Sequence, residues 1–561
     1  MLQILPVWFF FGLLCLFLGR ILEKIITRYF FLKGPVSPGL LLWCGMAFLY
    51  VLLSLITFIL PLNATIKPFI WLGFIVWMFL EREIIQEITG RMRRVISTLH
   101  PFSWVLFCST ALIALIKCAG PPEIFDEGAY HLPLIRMWEN MGIIPGFANL
   151  NAHYGLHSGW HILSAFSNPG IIPGLVSDMA LNGFLAACLG LFSASRLSAV
   201  IRGQSCSASA LIAVFLPFFL FRNLLSSPST DVPAILGTWF FFLFWMESAE
   251  RGSTRMVDFF LFLLMPVFLL ILKASSAGIL SASAGFLLLQ FRKGKAVLPL
   301  PLLLISGIPV FLWIIQNWLI SGYAFFPFSF SALGQPDWLV PAESLQKKFF
   351  PEQFGAFAPP PEYSLVWLKT WFSAHNPDSR IIILLAGLFF MGAPVSAKWF
   401  PPMRSGSFRA MHLLLLTLSL IWFFTVTEPR YGFGALVVSA LFLPVLVLRY
   451  GIAKWSALRF VVLLILPLML LNLHKTRREF PSFTRQIFLP APVPQVNFRN
   501  LRCGNFWASS PLSYGSRVPA GKPVFCWDCP FPCFPLEGIE DSSFVFEKKI
   551  AWFTGFTFSK K

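Results

Sequence analysis

The chain has 561 residues, of which 57% are hydrophobic and only 12% charged, with 64 phenylalanines and 20 tryptophans. An ordinary soluble domain is about one quarter charged, so a water-soluble fold is not expected and an all-α polytopic membrane protein is. The 43 lysines and arginines outnumber 25 acids, for a net charge of +18, which suits nucleic acid, an anionic substrate or anionic lipid until the cations are placed along the chain.

A spanning helix needs about 20 mostly apolar residues, because hydrocarbon offers backbone groups no partner. About fourteen such stretches follow one another, at 3–19, 39–62, 66–80, 102–118, 177–199, 207–223, 231–247, 256–272, 275–290, 297–320, 379–396, 410–427, 431–448 and 459–473. Lys273 is the only strong break within 256–290.

Alternate connections are basic. Arg20, Lys24, Arg28 and Lys33 follow the first span, Arg82, Arg91, Arg93 and Arg94 the third, Arg196 and Arg202 the fifth, and Arg251 and Arg255 the seventh. Arg292, Lys293 and Lys295, then Lys398, Arg404 and Arg409, then Arg449, Lys454 and Arg459 continue the pattern. About 21 of the 43 cations thus fall on one face, which the positive-inside rule makes cytoplasmic, and the motive for nucleic-acid binding goes. The segments 119–176, 224–230, around Lys273, 321–378, 428–430 and the tail after 475 then face outward. The first segment lacks a basic leader region, so an outside N-terminus is expected rather than a cleaved signal peptide. An uncleaved anchor of the opposite orientation would break the alternation everywhere downstream.

Beyond the last span, residues 475–561 are rich in Pro, Ser, Asn and Arg and are expected to form a small outer domain of mixed or β character. It holds Cys503, Cys526, Cys529 and Cys533. Zinc ligation wants a fuller Cys/His set than this, an oxidising compartment favours disulfides with three possible connectivities, and a redox Cys526–Cys529 pair lacks a surrounding βαβ pattern. Cysteines within spans, such as Cys15 and Cys188, read as small apolar fillers.

The loop after the fourth span packs Glu123, Asp126, Glu127 and His131 within nine positions, just outside a span and ahead of an apparent amphipathic helix from Tyr130 to Met141. Such a loop is either a solvated face or a partly apolar pocket tuned for general-base work or for a divalent cation such as Mg or Mn held by Asp126 and Glu127. His153, His157 and His161 recur at i, i+4 and i+8; on a helix they would share a face and offer zinc ligands, or a polar lining, although Gly155 weakens that helix.

Asp231 stands before Val232-Pro233 at the start of the seventh span, where it suits a helix N-cap as well as a site. Lys273 ends the eighth span and either snorkels or clamps an anion. Gln316 and Asn317 sit inside an apolar helix as glue or as site residues. Glu428-Pro429-Arg430-Tyr431 forms a tight outer turn in which Arg430 is a phosphate fork or an interfacial anchor. Asp126, Glu127, Asp231, Lys273, Asn317, Glu428 and Arg430 all fall on the outer face under a topology drawn only from loop charge. Independent anchors would scatter over both faces, so a cavity for an anionic, lipid-embedded substrate is expected.

These residues resemble the motifs of the type-C glycosyltransferase superfamily, the multi-span enzymes that use polyprenyl-phosphate sugars. Phe125-Asp126-Glu127-Gly128 is similar to the acidic motif in the outer loop after the first core helix, with the core at 101–474 and extra helices in 1–100. Asp231-Val232-Pro233 resembles the Asp-x-Pro that opens a later helix, Lys273 with Ser275 resembles a Lys followed by small residues, and Arg430-Tyr431 resembles the Arg-Tyr near the last core helices. Over roughly residues 100–550 the chain is also similar to a group of large bacterial multi-span membrane proteins.

The resemblance implies transfer of a sugar from a polyprenyl-phosphate donor to a glycan, lipid or protein acceptor at the outer face of the cytoplasmic membrane. Asp126 would be the base and Glu127 its assistant, with Arg430 and Lys273 on the leaving phosphate, Asp231 orienting, and His131, Asn317, Glu428 and Tyr431 lining the substrate. A transporter or flippase would instead predict charges near the midplane and two similar halves, neither of which is seen. An outer-leaflet polymerase or ligase would rely on outer-loop arginines, which are few here.

Overall fold

A computed structural model describes residues 3–451 apart from 33, 35, 121–125, 168–179, 205–206, 221, 252–254, 293–299, 350–363, 397–404 and 426–427, together with 467–468, 501–503, 533–535, 544–550 and 553–558. In chain order the helices are α1 (Ile4–Phe30), α2 (Pro38–Thr57), α3 (Ile66–Leu80), α4 (Arg82–Ser97), α5 (Pro101–Ala119), α6 (Leu132–Asn140), α7 (Gly159–Ser167), α8 (Ala180–Ile201), α9 (Ala208–Phe215) and α10 (Arg222–Leu225). There follow α11 (Asp231–Arg251), α12 (Arg255–Phe259), α13 (Met265–Leu272), α14 (Leu280–Arg292), α15 (Leu300–Ser321), α16 (Ala342–Phe349), α17 (Leu365–Ala374), α18 (Pro377–Ser396), α19 (Gly406–Thr425) and α20 (Pro429–Gly451).

Among the described residues eight helices are long and apolar enough to cross a membrane: α1, α2, α5, α8, α11, α15, α19 and α20. Shorter apolar helical segments occupy Ile66–Leu80, Ala208–Phe219, Met256–Leu272 and Ala274–Leu288. The protein is therefore a multi-pass helical membrane protein. The last expected span, 459–473, lies outside the described residues except for 467–468.

Helix starts follow local chemistry. The Ser37 hydroxyl accepts from the Leu40 N–H ahead of Pro38, and His100 Nδ1 accepts from the Phe102 N–H ahead of Pro101, each satisfying a donor the first turn leaves open. Helix α4 is different in kind: Ile84 and Ile88 are buried while Arg82, Glu83, Arg93 and Arg94 are exposed, an amphipathic rather than a spanning pattern.

Helices α1 and α2 pack backbone to backbone. A methyl group on Gly45 would sit 1.7 Å from the Cys15 carbonyl oxygen, and one on Gly19 2.1 Å from that of Leu41. Association of apolar helices in a membrane relies on such small-residue contacts, since lipid offers no hydrophobic gradient.

Helices α11 and α20 run side by side in the same direction. Asp231 lies by Arg430 at one end, and Glu250 lies 3.3 Å from Arg449 at the other. At 1.5 Å per residue the two polar layers are about 28 Å apart, close to the thickness of a hydrocarbon core. The second layer also holds the Arg196–Glu247 pair at 2.5 Å.

The stretch after α5 differs from its expected form in detail. The helix begins at Glu127, its first turn, Glu127–His131, is a π turn, and it continues as α6 to Asn140. His153, His157 and His161 do not share a helical face. His153 lies in a 3-10 turn, Ala152–Gly155, His157 in the link that follows, and His161 in α7. The break comes at Gly155, where a Cβ would meet the Phe326 ring at 2.5 Å.

In the tail, β1 (Leu501–Cys503) pairs antiparallel with β2 (Cys533–Pro535), with Cys503 opposite Cys533, and β3 (Phe544–Ile550) pairs with β4 (Phe553–Phe558). Cys526, Cys529 and the remainder of 475–561 lie outside the described residues.

Candidate functional site

Arg430 is the second residue of α20 and enters from a turn clamped by Trp422. The indole Nε1–H donates to the Glu428 carbonyl at 2.8 Å, and the Tyr431 N–H donates to the same oxygen at 3.1 Å. A Cβ on Gly432 would strike the Trp422 ring at 2.6 Å, so that position must be small. From this turn the guanidinium places Nη1 3.4 Å from Asp126 Oδ2 and Nε 4.0 Å from Asp231 Oδ2, while Nη2 donates to the Tyr431 hydroxyl at 2.8 Å.

Asp231, the first residue of α11, presents its other oxygen to the Lys273 ammonium in a direct ion pair. Lys273 ends α13 in an extended conformation, and its Nζ lies 4.1 Å from the centroid of the Tyr431 ring. A cation over an aromatic face gains from the ring quadrupole. Four chain-distant residues, Asp126, Asp231, Lys273 and Arg430, are thus brought together above Tyr431. The Asp231 side chain is 7% exposed, whereas those of Lys273, Asp126 and Arg430 are 18%, 26% and 29% exposed, so Asp231 is the least accessible of the four.

The support beneath Asp231 was not visible in the sequence. The Asn182 amide donates to the carbonyls of Leu224, Ser227 and Ser229, and its oxygen accepts from Trp160 Nε1 at 3.0 Å. Ser229 Oγ then accepts from the Asp231 N–H at 3.2 Å. Asn182 lies in an apolar helix and its only signal was being polar there. Asp231 is accordingly an ion-pair residue at a helix start, and Lys273 is held inside rather than snorkelling.

Glu127 and His131 are buried behind this cluster. His131 Nδ1 is 2.9 Å from His161 Nε2, and the Tyr130 and His131 rings stack obliquely at 4.1 Å. Burial first, and then the nearby His161, Lys273 and Arg430, hold His131 well below the usual imidazole range. Burial likewise depresses His161 to about 3 and His157 to about 4. Tyr130 is raised by burial and by the Asp126 carboxylate. Burial and then Arg430 push Lys273 down, against the pull of Asp126, and burial raises Glu428.

Gln316 and Asn317 are packing residues in this arrangement. Gln316 Oε1 accepts from the Tyr50 hydroxyl and from His157 Nε2, each at 3.0 Å, and the Asn317 amide donates to the Ala324 carbonyl at 3.4 Å.

The cluster borders a cavity of about 190 Å³ between the ends of α11, α13, α19 and α20. Asp231, Lys273, Ser275, Arg430 and Tyr431 line its polar end, and Ile279, Leu418, Ile421 and Ala435 its apolar wall. Among the described residues no three His, Cys, Asp or Glu side chains converge as metal ligands. Asp126 faces a guanidinium, so the residues present do not fit a divalent cation on Asp126 and Glu127.

Fold and site together define a multi-pass helical membrane protein with a charged, amphipathic cavity at one set of helix ends. Residues 1–437 match the family model described as Domain of unknown function (DUF8201), and the chain belongs to that family. No curated protein and no solved structure matches it.

Proposed function

We propose that the protein is an integral membrane glycosyltransferase of the type-C kind, which transfers a sugar from a polyprenyl-phosphate donor to a glycan, lipid or protein acceptor. In this reading the short apolar helices, α18 and 459–473 complete about fourteen spans, the cavity opens at the outer face of the cytoplasmic membrane, and 475–561 forms a small outer domain over it.

The acceptor hydroxyl oxygen attacks C1 of the sugar, the C1–O bond to phosphate breaks with inversion, and the bonding pair leaves on the phosphate oxygen. Asp126 takes the hydroxyl proton. Arg430 and Lys273 stabilise the charge that develops on the leaving phosphate, where a water-poor site makes such contacts strongest. Asp231 fixes both cations, and Tyr431 forms the floor.

What supports the reading is the junction of Asp126 with Arg430 at 3.4 Å, beside a cavity whose polar end carries two cations and whose wall is apolar. The test is photolabelling in membranes with a photoreactive polyprenyl-phosphate analogue. Labelling should map near Leu418 and Ile421 and fall about tenfold in Arg430→Gln, as loss of one phosphate contact implies. Equal labelling of that variant, at equal folded yield, counts against the reading.

A further inference from the structure

At the opposite helix ends, away from the cavity lined by Lys273 and Arg430, lies another open cleft of about 380 Å³, lined by Arg20, Glu23, Lys24, Thr27, Arg28 and Arg91 with Gly34. Arg20, Lys24 and Arg28 recur at i, i+4 and i+8 and so form one stripe along the last turns of α1. Arg91 faces them from the amphipathic helix α4. Two of these cations are already neutralised: Arg20 contacts Glu23 at 2.5 Å and Glu87 at 2.9 Å, and Arg91 contacts Glu87 at 2.6 Å. Among the described residues Lys24 and Arg28 have no carboxylate within ion-pair distance, and both are exposed. The cleft therefore carries an excess of positive charge held in a fixed frame.

Depth and surroundings say what fills it. Helix α1 has 27 residues, about 40 Å, against about 30 Å of hydrocarbon. Its first charge is Arg20, so the segment from Arg20 to Phe30 lies at headgroup level. Beside the cationic stripe Ile25, Tyr29 and Phe31 are exposed, Phe31 at 79%, an apolar rim that suits acyl chains and not a water-borne anion. We propose that this cleft is a binding site for the phosphate of an anionic phospholipid, clamped between the end of α1 and α4. The site is independent of the reading given to the cavity at the other face.

Native mass spectrometry of the full chain in detergent, titrated with phosphatidylglycerol or phosphatidylcholine, tests this. The phosphatidylglycerol adducts should dominate, and Lys24→Ala/Arg28→Ala should weaken them about thirtyfold, as two lost surface cations imply. Arg93→Ala/Arg94→Ala, which removes two exposed cations of α4 outside the cleft, should change binding less than about twofold. The exchange Lys24→Arg/Arg28→Lys should restore it. No preference for phosphatidylglycerol, equal losses in the two alanine pairs, or displacement by millimolar inorganic phosphate would each overturn the assignment.

Discussion

The Arg430 guanidinium lies 3.4 Å from the Asp126 carboxylate and 4.0 Å from that of Asp231, so a single cation at the start of α20 ties together the chain beyond α5 and the start of α11. Asp126 is thereby poised rather than free, and a phosphate entering the cavity would compete with both carboxylates for the same fork.

The Asp231–Lys273 pair should behave as a buried unit. Lys273→Met leaves the Asp231 carboxylate short of its main partner and should cost about 3 kcal/mol, while Asp231→Asn/Lys273→Met recovers most of that loss. Thermal unfolding of the detergent-solubilised variants measures both. Equal destabilisation of the single and double variants would argue that the pair is not coupled.

Acid should destabilise the fold before it reaches the carboxylates. His157 is held at about 4 and His161 at about 3 by burial, while both titrate near 6.5 in an unfolded chain. Between those values the unfolded state binds protons that the folded state does not. Stability is therefore complete above pH 6.5 and declines as the pH falls toward 4, by roughly 3 kcal/mol for His157 alone. His157→Gln should flatten this decline in melting curves recorded from pH 7 to pH 4.5.

Packing of α1 on α2 leaves no room at Gly45, where a Cβ would sit 1.7 Å from the Cys15 carbonyl oxygen. Gly45→Ala should cost on the order of 3 kcal/mol and reduce monodisperse protein on size exclusion. Gly307→Ala in α15, with nothing within 4 Å of the new methyl, should be neutral.

Trp422 is a positioning residue. Trp422→Phe keeps the ring but loses the 2.8 Å hydrogen bond to the Glu428 carbonyl, freeing the turn that aims Arg430. Photolabelling should fall about tenfold with little change in melting temperature, because small displacements in a charged site are costly. A parallel loss of stability would mean that the indole serves the fold alone.

Residues that carry charge at helix ends were legible in the sequence, because an ionisable side chain is rare in so apolar a chain and loop charge orders the spans. Asp126, Asp231, Lys273 and Arg430 could be picked out in this way, and they meet. What escaped was tertiary pairing. Spacing suggested one face for His153, His157 and His161, yet the 3-10 turn at Ala152–Gly155 sends His161 to His131 and His157 to Gln316. Asn182 acts through main-chain carbonyls 42 to 47 residues along the chain and Trp422 through that of Glu428 across the turn, contacts that no apolar periodicity announces. Apolar runs marked helices well, but short ones such as Ile66–Leu80 do not by length alone declare a crossing.

The most direct measurement is the envelope glycan profile, by mass spectrometry, of strains carrying the wild-type chain, a deletion, or Asp126→Asn as the sole copy. If Asp126 is the base, the Asp126→Asn strain reproduces the deletion profile while its protein accumulates at the wild-type level in the membrane. A wild-type glycan profile from Asp126→Asn, alongside a changed profile in the deletion, would contradict the role assigned to Asp126 and with it the proposed mechanism.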